Sequence, residues 1–239
     1  MQHLQQKGYT ILDNIFTSEE VALIITKISE ANSSRPTFRK TNDLFAIRQF
    51  LKEVPVIQPL IFTAKLNAVI KKYFGHNYFV IKSIYFDKPE KSNWFVAWHQ
   101  DLTISVDKKI NLPGFGPWTS KQDQFAVQPP LDILENIFTI RIHLDDTDEN
   151  NGALKVIPGS HLKGIYRRTE IDWETKNEAI CKVKIGGIMI MRHLLLHSSN
   201  RTLNNNKRRV IHIEFSDRLL PDGLLWAEPL AQFTVDYPQ

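Results

Sequence analysis

The order of apolar and polar positions changes character near Tyr78. Before it, apolar residues recur at helical spacing. The run TSEE at 17–20 is a capping box, in which Thr17 caps the first turn and Glu20 reaches back to it. Val21, Ile24, Ile25 and Ile28 then fall on one helical face. A second helix is predicted from Pro59 to Phe74, stopped by Gly75. The stretch from Asn32 to Asp43 is polar and basic and reads as irregular.

After Tyr78 the period shortens to two. The runs YFVIKSIYF, IFTIRIHLDD, CKVKIGGIMIM and RRVIHIEFSD are rich in β-branched and aromatic residues, and several alternate apolar with polar. Turn signals separate them: ENNG at 149–152, PGS at 158–160, Gly186 with Gly187, and Asn204 to Asn206. This is the pattern of an antiparallel sandwich or barrel. With no internal repeat and no linker, the chain reads as one α+β, mainly β, domain over 1–239. Its parts are a helical segment at 1–77, a β core at 78–216 and a C-terminal extension at 217–239.

Alternation also sorts the polar side chains. In FVAWHQDLTI, His99 and Asp101 are two apart on a strand and project from one face, while Trp98 is out of phase and packs on the other. A metal site needs a third ligand from a later strand, and the candidates are His143, His161, His193, His197 and His212. His197 ends the run IMIMRHLLLHSS beside a polar segment, where an open coordination position is easily built. Two histidines and one carboxylate in a facial arrangement suit non-haem Fe(II) and leave three positions open. Such enzymes take 2-oxoglutarate and dioxygen at those positions, and the far carboxylate of the cosubstrate calls for an arginine fork. In KRRVIHIEF, Arg208 shares a polar face with Val210, His212 and Glu214, and Arg209 shares an apolar face with Ile211, Ile213 and Phe215, so Arg208 is the candidate. The strand TIRIHLD similarly turns Thr139, Arg141 and His143 to one side; a polar face exposed to solvent gives the same pattern.

Composition narrows the class. The chain has 239 residues, 42% of them hydrophobic, enough for a sizeable core. A net charge of +4 is mildly basic, and its clusters are small (Arg167 with Arg168, and Lys207 to Arg209), which argues against a nucleic-acid partner. Cys181 is the only cysteine, so no intramolecular disulfide can form, and it reads as a buried strand residue. MQHLQQKGYT lacks the features of a signal peptide, and no apolar run approaches the roughly 18 residues of a membrane span. The expectation is a cytoplasmic protein with no membrane partner; the oligomeric state stays open.

Four stretches carry a resemblance over nearly the whole chain: GYTILDNIFTSEEV, FDKPEKSNWFVAWHQD with its lysine-proline pair, IRIHLDDTDENNGALKVIPGSH, and HSSNRTLNNNKRRVIHIEF. In these the protein resembles the phytanoyl-CoA dioxygenase family of Fe(II)/2-oxoglutarate oxygenases, in a bacterial branch and not as a peroxisomal phytanoyl-CoA hydroxylase. The resemblance implies a double-stranded β-helix, a form of jelly roll, with the N-terminal helices on its major sheet. It implies His99, Asp101 and His197 as metal ligands, and Arg208, eleven residues after His197, as the 2-oxoglutarate anchor. Ser199 matches a position that bonds the cosubstrate, and Lys82 is a further candidate for touching it. Relatives that halogenate replace the carboxylate ligand with a small residue; Asp101 is present here, which favours hydroxylation of a small molecule.

Two departures bear on the substrate. A tryptophan near the cosubstrate in some relatives aligns with Arg141, and a long insert follows Leu102. Arg141, His143 and Trp118 are therefore candidate substrate contacts. The segment from Asp107 to Pro130, with Phe115 and Trp118 among glycines and prolines, is expected to act as a substrate lid. The competing readings are a jelly-roll binding protein without turnover and an oxygenase acting on a macromolecule.

Overall fold

The computed structural model describes residues 2–31, 37–41, 45–90, 92, 94–121, 124–166 and 177–229. Its elements, in chain order, are α1 (Gln2–Lys7), β1 (Tyr9–Leu12), α2 (Ser18–Ser29), β2 (Phe38–Lys40), β3 (Phe45–Arg48), α3 (Phe50–Glu53), a 3-10 turn (Pro55–Ile57), α4 (Gln58–Ile61) and α5 (Ala64–Phe74). There follow β4 (Phe79–Lys88), β5 (Val96–His99), β6 (Ile104–Val106), β7 (Trp118–Lys121), β8 (Gln124–Val127), α6 (Leu131–Asn136), β9 (Phe138–His143), β10 (Leu154–Val156), a second 3-10 turn (Ser160–Lys163), β11 (Ala179–Cys181), β12 (Ile188–Arg192), β13 (His197–Ser199) and β14 (Arg208–Ser216).

The capping box forms as the sequence predicts. The Glu20 N–H donates to the Thr17 hydroxyl at 3.2 Å, and the Thr17 N–H donates to the Glu20 carboxylate at 2.8 Å. The second predicted helix is instead two. α4 ends at Ile61, and Thr63 caps a new helix, accepting from the Leu66 N–H at 3.3 Å. The hydroxyl offers the backbone a fresh start, and Gly75 closes α5 at φ +91. The stretch read as irregular contains β2 in its described part; residues 32–36, 42 and 43 lie outside the described residues, as do Arg167 and Arg168.

A seven-stranded sheet has the order β1-β12-β9-β14-β4-β3-β2, and a four-stranded sheet the order β11-β10-β13-β5. The N-terminal part is thus more than helical: β1 pairs with β12, and β3 with β4, both antiparallel. These short strands cover what would otherwise be open edges of the core sheet. The outer face of the major sheet carries Ile140, Ile142, Ile190, Ile211, Ile213 and Phe215, and α2, α4 and α5 bury Ile24, Ile28, Ile61, Leu66 and Ile70 against it. On the inner face, Met189 and Met191 of β12 pack on Leu154, Val156 and Cys181 of the smaller sheet. The two sheets therefore enclose an interior, and the helices back the larger one.

The run CKVKIGGIMIM divides at Gly186, which turns at φ +75; a Cβ there would collide with the Phe16 carbonyl oxygen. The insert after Leu102 is itself structured. β6, β8 and β7 form a third antiparallel sheet in that order. Ile104, Val106 and Val127 turn one of its faces into an apolar cluster with Leu134, Leu224 and Trp226. The C-terminal segment straps this sheet down: Trp226 bridges Val106, and the Ala227 N–H donates to the Ser105 carbonyl at 3.0 Å. Among the described residues no helix is long and apolar enough to cross a membrane.

Candidate metal centre

Antiparallel pairing of β5 with β13 sets His99 directly across from His197, with ring centroids 4.2 Å apart. Asp101 follows just beyond the end of β5. Its Oδ1 is 3.9 Å from His99 Nε2, and its Oδ2 is 3.8 Å from His197 Nε2. The other ring nitrogens are committed to backbone: His99 Nδ1 to the Ala97 carbonyl and His197 Nδ1 to the Leu195 carbonyl, both at 2.8 Å. A carbonyl only accepts, so each Nδ1 carries the proton and each Nε2 presents a bare lone pair.

The separations from Asp101 are too long for hydrogen bonds. The ligand atoms of all three residues nevertheless lie within 4.8 Å of one another, the spacing of donors around a cation. Burial pushes His197 down to about 4, which keeps the imidazole neutral. Burial works to raise the Asp101 carboxyl, but His197, His193 and Lys82 more than offset it and hold the group ionised. The triad offers two imidazole Nε2 atoms and one carboxylate, which is the donor set that fits non-haem Fe(II).

A chain of charged groups lies beside this triad on the inner face of the major sheet. Arg141 Nη1 donates to His212 Nδ1 at 3.0 Å, which places the His212 proton on Nε2, and that nitrogen donates to Glu214 Oε1 at 2.9 Å. Lys82 Nζ donates to the same oxygen at 2.7 Å. Asp101, His193 and Glu214 also place ligand atoms within 4.8 Å of one another. His193 is fully buried, and neither ring nitrogen has a partner among the described residues.

Further along the same inner face the charges are all positive. Arg208 and Lys88 stand opposite each other on β14 and β4, with exposures of 4% and 0%. Arg208 Nη1 donates to the Gly152 carbonyl at 2.6 Å, Ser199 Oγ donates to the same oxygen at 2.9 Å, and Lys88 Nζ donates to the Asn200 carbonyl. Among the described residues neither cation has a carboxylate partner, and Arg208 Nε has no partner at all. Burial, with the Arg208 charge adding to it, pushes Lys88 down to about 7; burial and the Arg141 charge push Arg208 down to about 9. Gly152 makes this convergence possible. It sits at φ +85, and a Cβ there would lie 2.7 Å from Lys88 Nζ. Arg209 turns the other way, as alternation requires, and is gripped bidentately by Asp145 through Nη2 at 2.6 Å and Nε at 2.9 Å.

The sequence-predicted residues thus divide. His99, Asp101 and His197 come together, and Arg208 and Ser199 converge on Gly152. Arg141 and His143 line the interior from β9, and His143 Nδ1 bonds the Thr147 hydroxyl at 2.8 Å. Lys82 faces the interior, engaged by Glu214 and away from the Arg208 end of β4. Trp118 lies on β7, with its ring against the apolar cluster beneath the insert. Sequence reasoning missed Lys88 as a site group, and it named His193 as a ligand candidate and Glu214 on the polar face without giving either a place beside the triad. Alternation along β4, from Lys82 through Ile84 and Phe86 to Lys88, was the available signal for Lys88.

A jelly roll with a His-x-Asp pair on one strand and a histidine across from it defines a class of metal-dependent oxygenase folds. The profile of the phytanoyl-CoA dioxygenase (PhyH) family matches residues 4–210, and the chain belongs to that family. Among curated relatives it is 24% identical over 180 residues to a probable alpha-ketoglutarate-dependent hypophosphite dioxygenase of Stutzerimonas stutzeri, covering 70% of this chain and 54% of that one. It is 23% identical over 173 residues to the ectoine dioxygenase of Bordetella bronchiseptica, covering 69% and 49%. The chain spans about half the length of these curated relatives. Among solved structures, EctD from S. alaskensis in its apo form superposes with a TM-score of 0.69 at 18% identity, covering 99% of this chain and 80% of that one. The alpha-ketoglutarate-dependent carbocyclase SnoK from nogalamycin biosynthesis gives 0.68 at 15% identity, covering 90% and 82%. At these identities the likeness establishes the fold.

Proposed function

We propose that the protein is an Fe(II)- and 2-oxoglutarate-dependent dioxygenase that hydroxylates a small molecule, with succinate and carbon dioxide as co-products. One observation carries the reading. Beside a donor triad suited to Fe(II), the interior holds two buried cations, Arg208 and Lys88, that no carboxylate among the described residues pairs. Burying a charge without a counter-charge is costly, and a dicarboxylate cosubstrate supplies that counter-charge. The curated relatives point the same way: hypophosphite and ectoine, the molecules in their names, are small.

In this reading His99, Asp101 and His197 hold the iron, and Arg208 and Lys88 hold the far carboxylate of 2-oxoglutarate. When bound, the iron supplies oxidation of a C–H bond by dioxygen, coupled to decarboxylation of the cosubstrate. The chain's own residues supply position and charge. The Ala97 and Leu195 carbonyls fix the tautomer and plane of both imidazoles. Ser199 and Arg208 share the Gly152 carbonyl, which aims the guanidinium at the interior. In the Arg141–His212–Glu214–Lys82 chain the carboxylate is taken directly by Lys82, while Arg208 and Lys88 reach only backbone carbonyls among the described residues, so an anion is drawn to them.

The test is anaerobic calorimetry of the Fe(II)-loaded protein with 2-oxoglutarate, followed by measurement of succinate on admitting oxygen. Micromolar binding that requires the metal, and slow succinate formation without added substrate, are expected. Binding of 2-oxoglutarate that ignores the metal would overturn the reading.

A further inference from the structure

A cavity of about 520 Å³ lies between the inner face of β4 and the three-stranded sheet formed by the insert. It begins at Thr103, two residues after Asp101, and reaches Lys82. The Lys82 ammonium is 2.7 Å from Glu214, whose ligand atom is in turn within 4.8 Å of one on Asp101. The cavity therefore abuts the metal triad on the side away from Arg208 and Lys88.

Its far wall is one face of the small sheet. Ser105, Ala126 and Thr119 stand level across β6, β8 and β7, while the next row on either strand, such as Ile104 with Val127, turns into the apolar cluster. Short side chains with hydroxyls thus line the wall, and the bulky ones hold it in place.

One end of the cavity is cationic. Arg48 is paired across the sheet with Ile84 and shares its inner face. No acid pairs with Arg48 among the described residues. Gln49 follows in the left-handed conformation at φ +50, which costs a non-glycine residue energy and is a recurring feature of functional sites. That turn starts α3 and brings Lys52 to the same cavity. The acids in the lining are held by other donors, and Glu228 also lies in the field of Lys52, which leaves Arg48 as the cation without an acid among the described residues. Glu228 accepts from the Ser83 N–H at 2.6 Å and the Ser83 hydroxyl at 2.5 Å, and Asp107 accepts from the Leu225 N–H at 2.8 Å.

We infer that this cavity is the substrate chamber, and that the substrate is a small polar molecule with an anionic head, a carboxylate or a phosphonate-type group, seated on Arg48. This rests on the iron- and 2-oxoglutarate-dependent reading above. With the head at Arg48, the body lies along the Ser105 and Thr119 wall and its other end points past Thr103 to the triad. The insert then acts as a fixed wall that sets the length of the substrate.

The same positive charge could instead serve a carboxylate of 2-oxoglutarate, and the experiment separates the two. Protein is loaded anaerobically with Mn(II) and saturating 2-oxoglutarate, then titrated with methylphosphonate, with glycerol and tetramethylammonium as neutral and cationic controls. Calorimetry gives affinity, and paramagnetic broadening of the ³¹P signal reports approach to the metal. Saturable methylphosphonate binding with broadening, no binding of the controls, and weakening by about 10-fold or more in Arg48→Gln are expected. Affinity for 2-oxoglutarate, measured separately, should be unchanged in that variant. Ala126→Phe, which fills the chamber without touching Arg48, should also block the probe, so the conclusion does not hang on one variant's folding. If Arg48→Gln weakens 2-oxoglutarate and not the probe, or if methylphosphonate does not bind while 2-oxoglutarate does, the inference is overturned and the cosubstrate reading stands. Failure of 2-oxoglutarate itself to bind would overturn both.

Discussion

Lys88 and Arg208 are direct cross-strand neighbours on β4 and β14, both buried, with no carboxylate partner among the described residues. Like charges set opposite one another destabilise a sheet, and burial without a partner adds to the cost. A fold keeps such a pair where a ligand supplies the missing charge. Removing a hydrogen bond to a charged group costs roughly 1.5–3 kcal/mol. Arg208→Ala and Lys88→Met should therefore each weaken 2-oxoglutarate binding by about 10- to 150-fold, at about 1.4 kcal/mol per decade. Arg209→Ala, which breaks only the bidentate contact to Asp145, should change it less than threefold or so. Calorimetry of the metal-loaded variants decides; a larger effect at Arg209 would remove Arg208 from its role.

The same pair makes cosubstrate binding depend on pH. Folding depresses Lys88 from 10.5 to about 7, so between those values the unfolded chain holds more protons. Stability without cosubstrate therefore gains from this group as pH rises through that window. An anion beside Lys88 favours the charged form and draws a proton back. At pH 8, 2-oxoglutarate binding should take up close to one proton, and its affinity should fall as pH rises above 7. Titration in two buffers of different ionisation enthalpy measures the uptake, and Lys88→Met should abolish it. Equal heats in both buffers for the unaltered protein would contradict the pairing.

The metal triad gives a sharper test, since its atoms are fixed by backbone contacts. His197 and His99 hold their Nδ1 protons on carbonyls two residues upstream, and neither contact depends on the metal. His197→Ala should thus fold normally and lose metal by more than the roughly 10–100-fold that removal of an outer partner costs. Anaerobic Mn(II) titration followed by elemental analysis reads the loss. Full occupancy in His197→Ala would remove that residue from the ligand set, and the buried, unpartnered His193 would take its place as candidate.

Much of this site was legible because a period of two is unforgiving. One residue's shift exchanges the faces of a strand, so alternation alone separated Arg208 from Arg209 and paired His99 with Asp101. What stayed hidden depends on partners far along the chain. Lys82 reads as a solvated lysine until Glu214, 132 positions away, comes beside it. Lys88 precedes a proline and looks like an exposed strand end, yet it is wholly buried by the loop at Gly152. β1 and β3 have four residues each, too short for a period to show, and only the edges of β12 and β4 give them a place. The insert looked like a loop because its strands are three or four residues long and their cover, Trp226, comes from the C-terminal extension.

That last difference changes what the insert does. A segment rich in glycine and proline reads as a cover on flexible joints, and the expected lid followed from that composition. In the structure Ile104 is 1% exposed and Val127 is fully buried, and Trp226, at 4%, bridges the same sheet. A lid that opened would have to strip these side chains from their cluster. Truncating a buried isoleucine alone costs about 2–5 kcal/mol, and opening would expose several such groups together. The opening free energy is then a large part of the total stability, and the sheet is expected to stay closed on the catalytic timescale. Amides of Ile104 and Val127 should exchange as slowly as those of Ile140 and Ile211, with and without 2-oxoglutarate, as read by hydrogen exchange. Ile104→Ala should lower stability by about 2–5 kcal/mol in denaturant unfolding, while 2-oxoglutarate affinity changes less than about twofold. Fast exchange at Val127 that slows only when 2-oxoglutarate binds would restore the moving lid and end the case for a fixed wall.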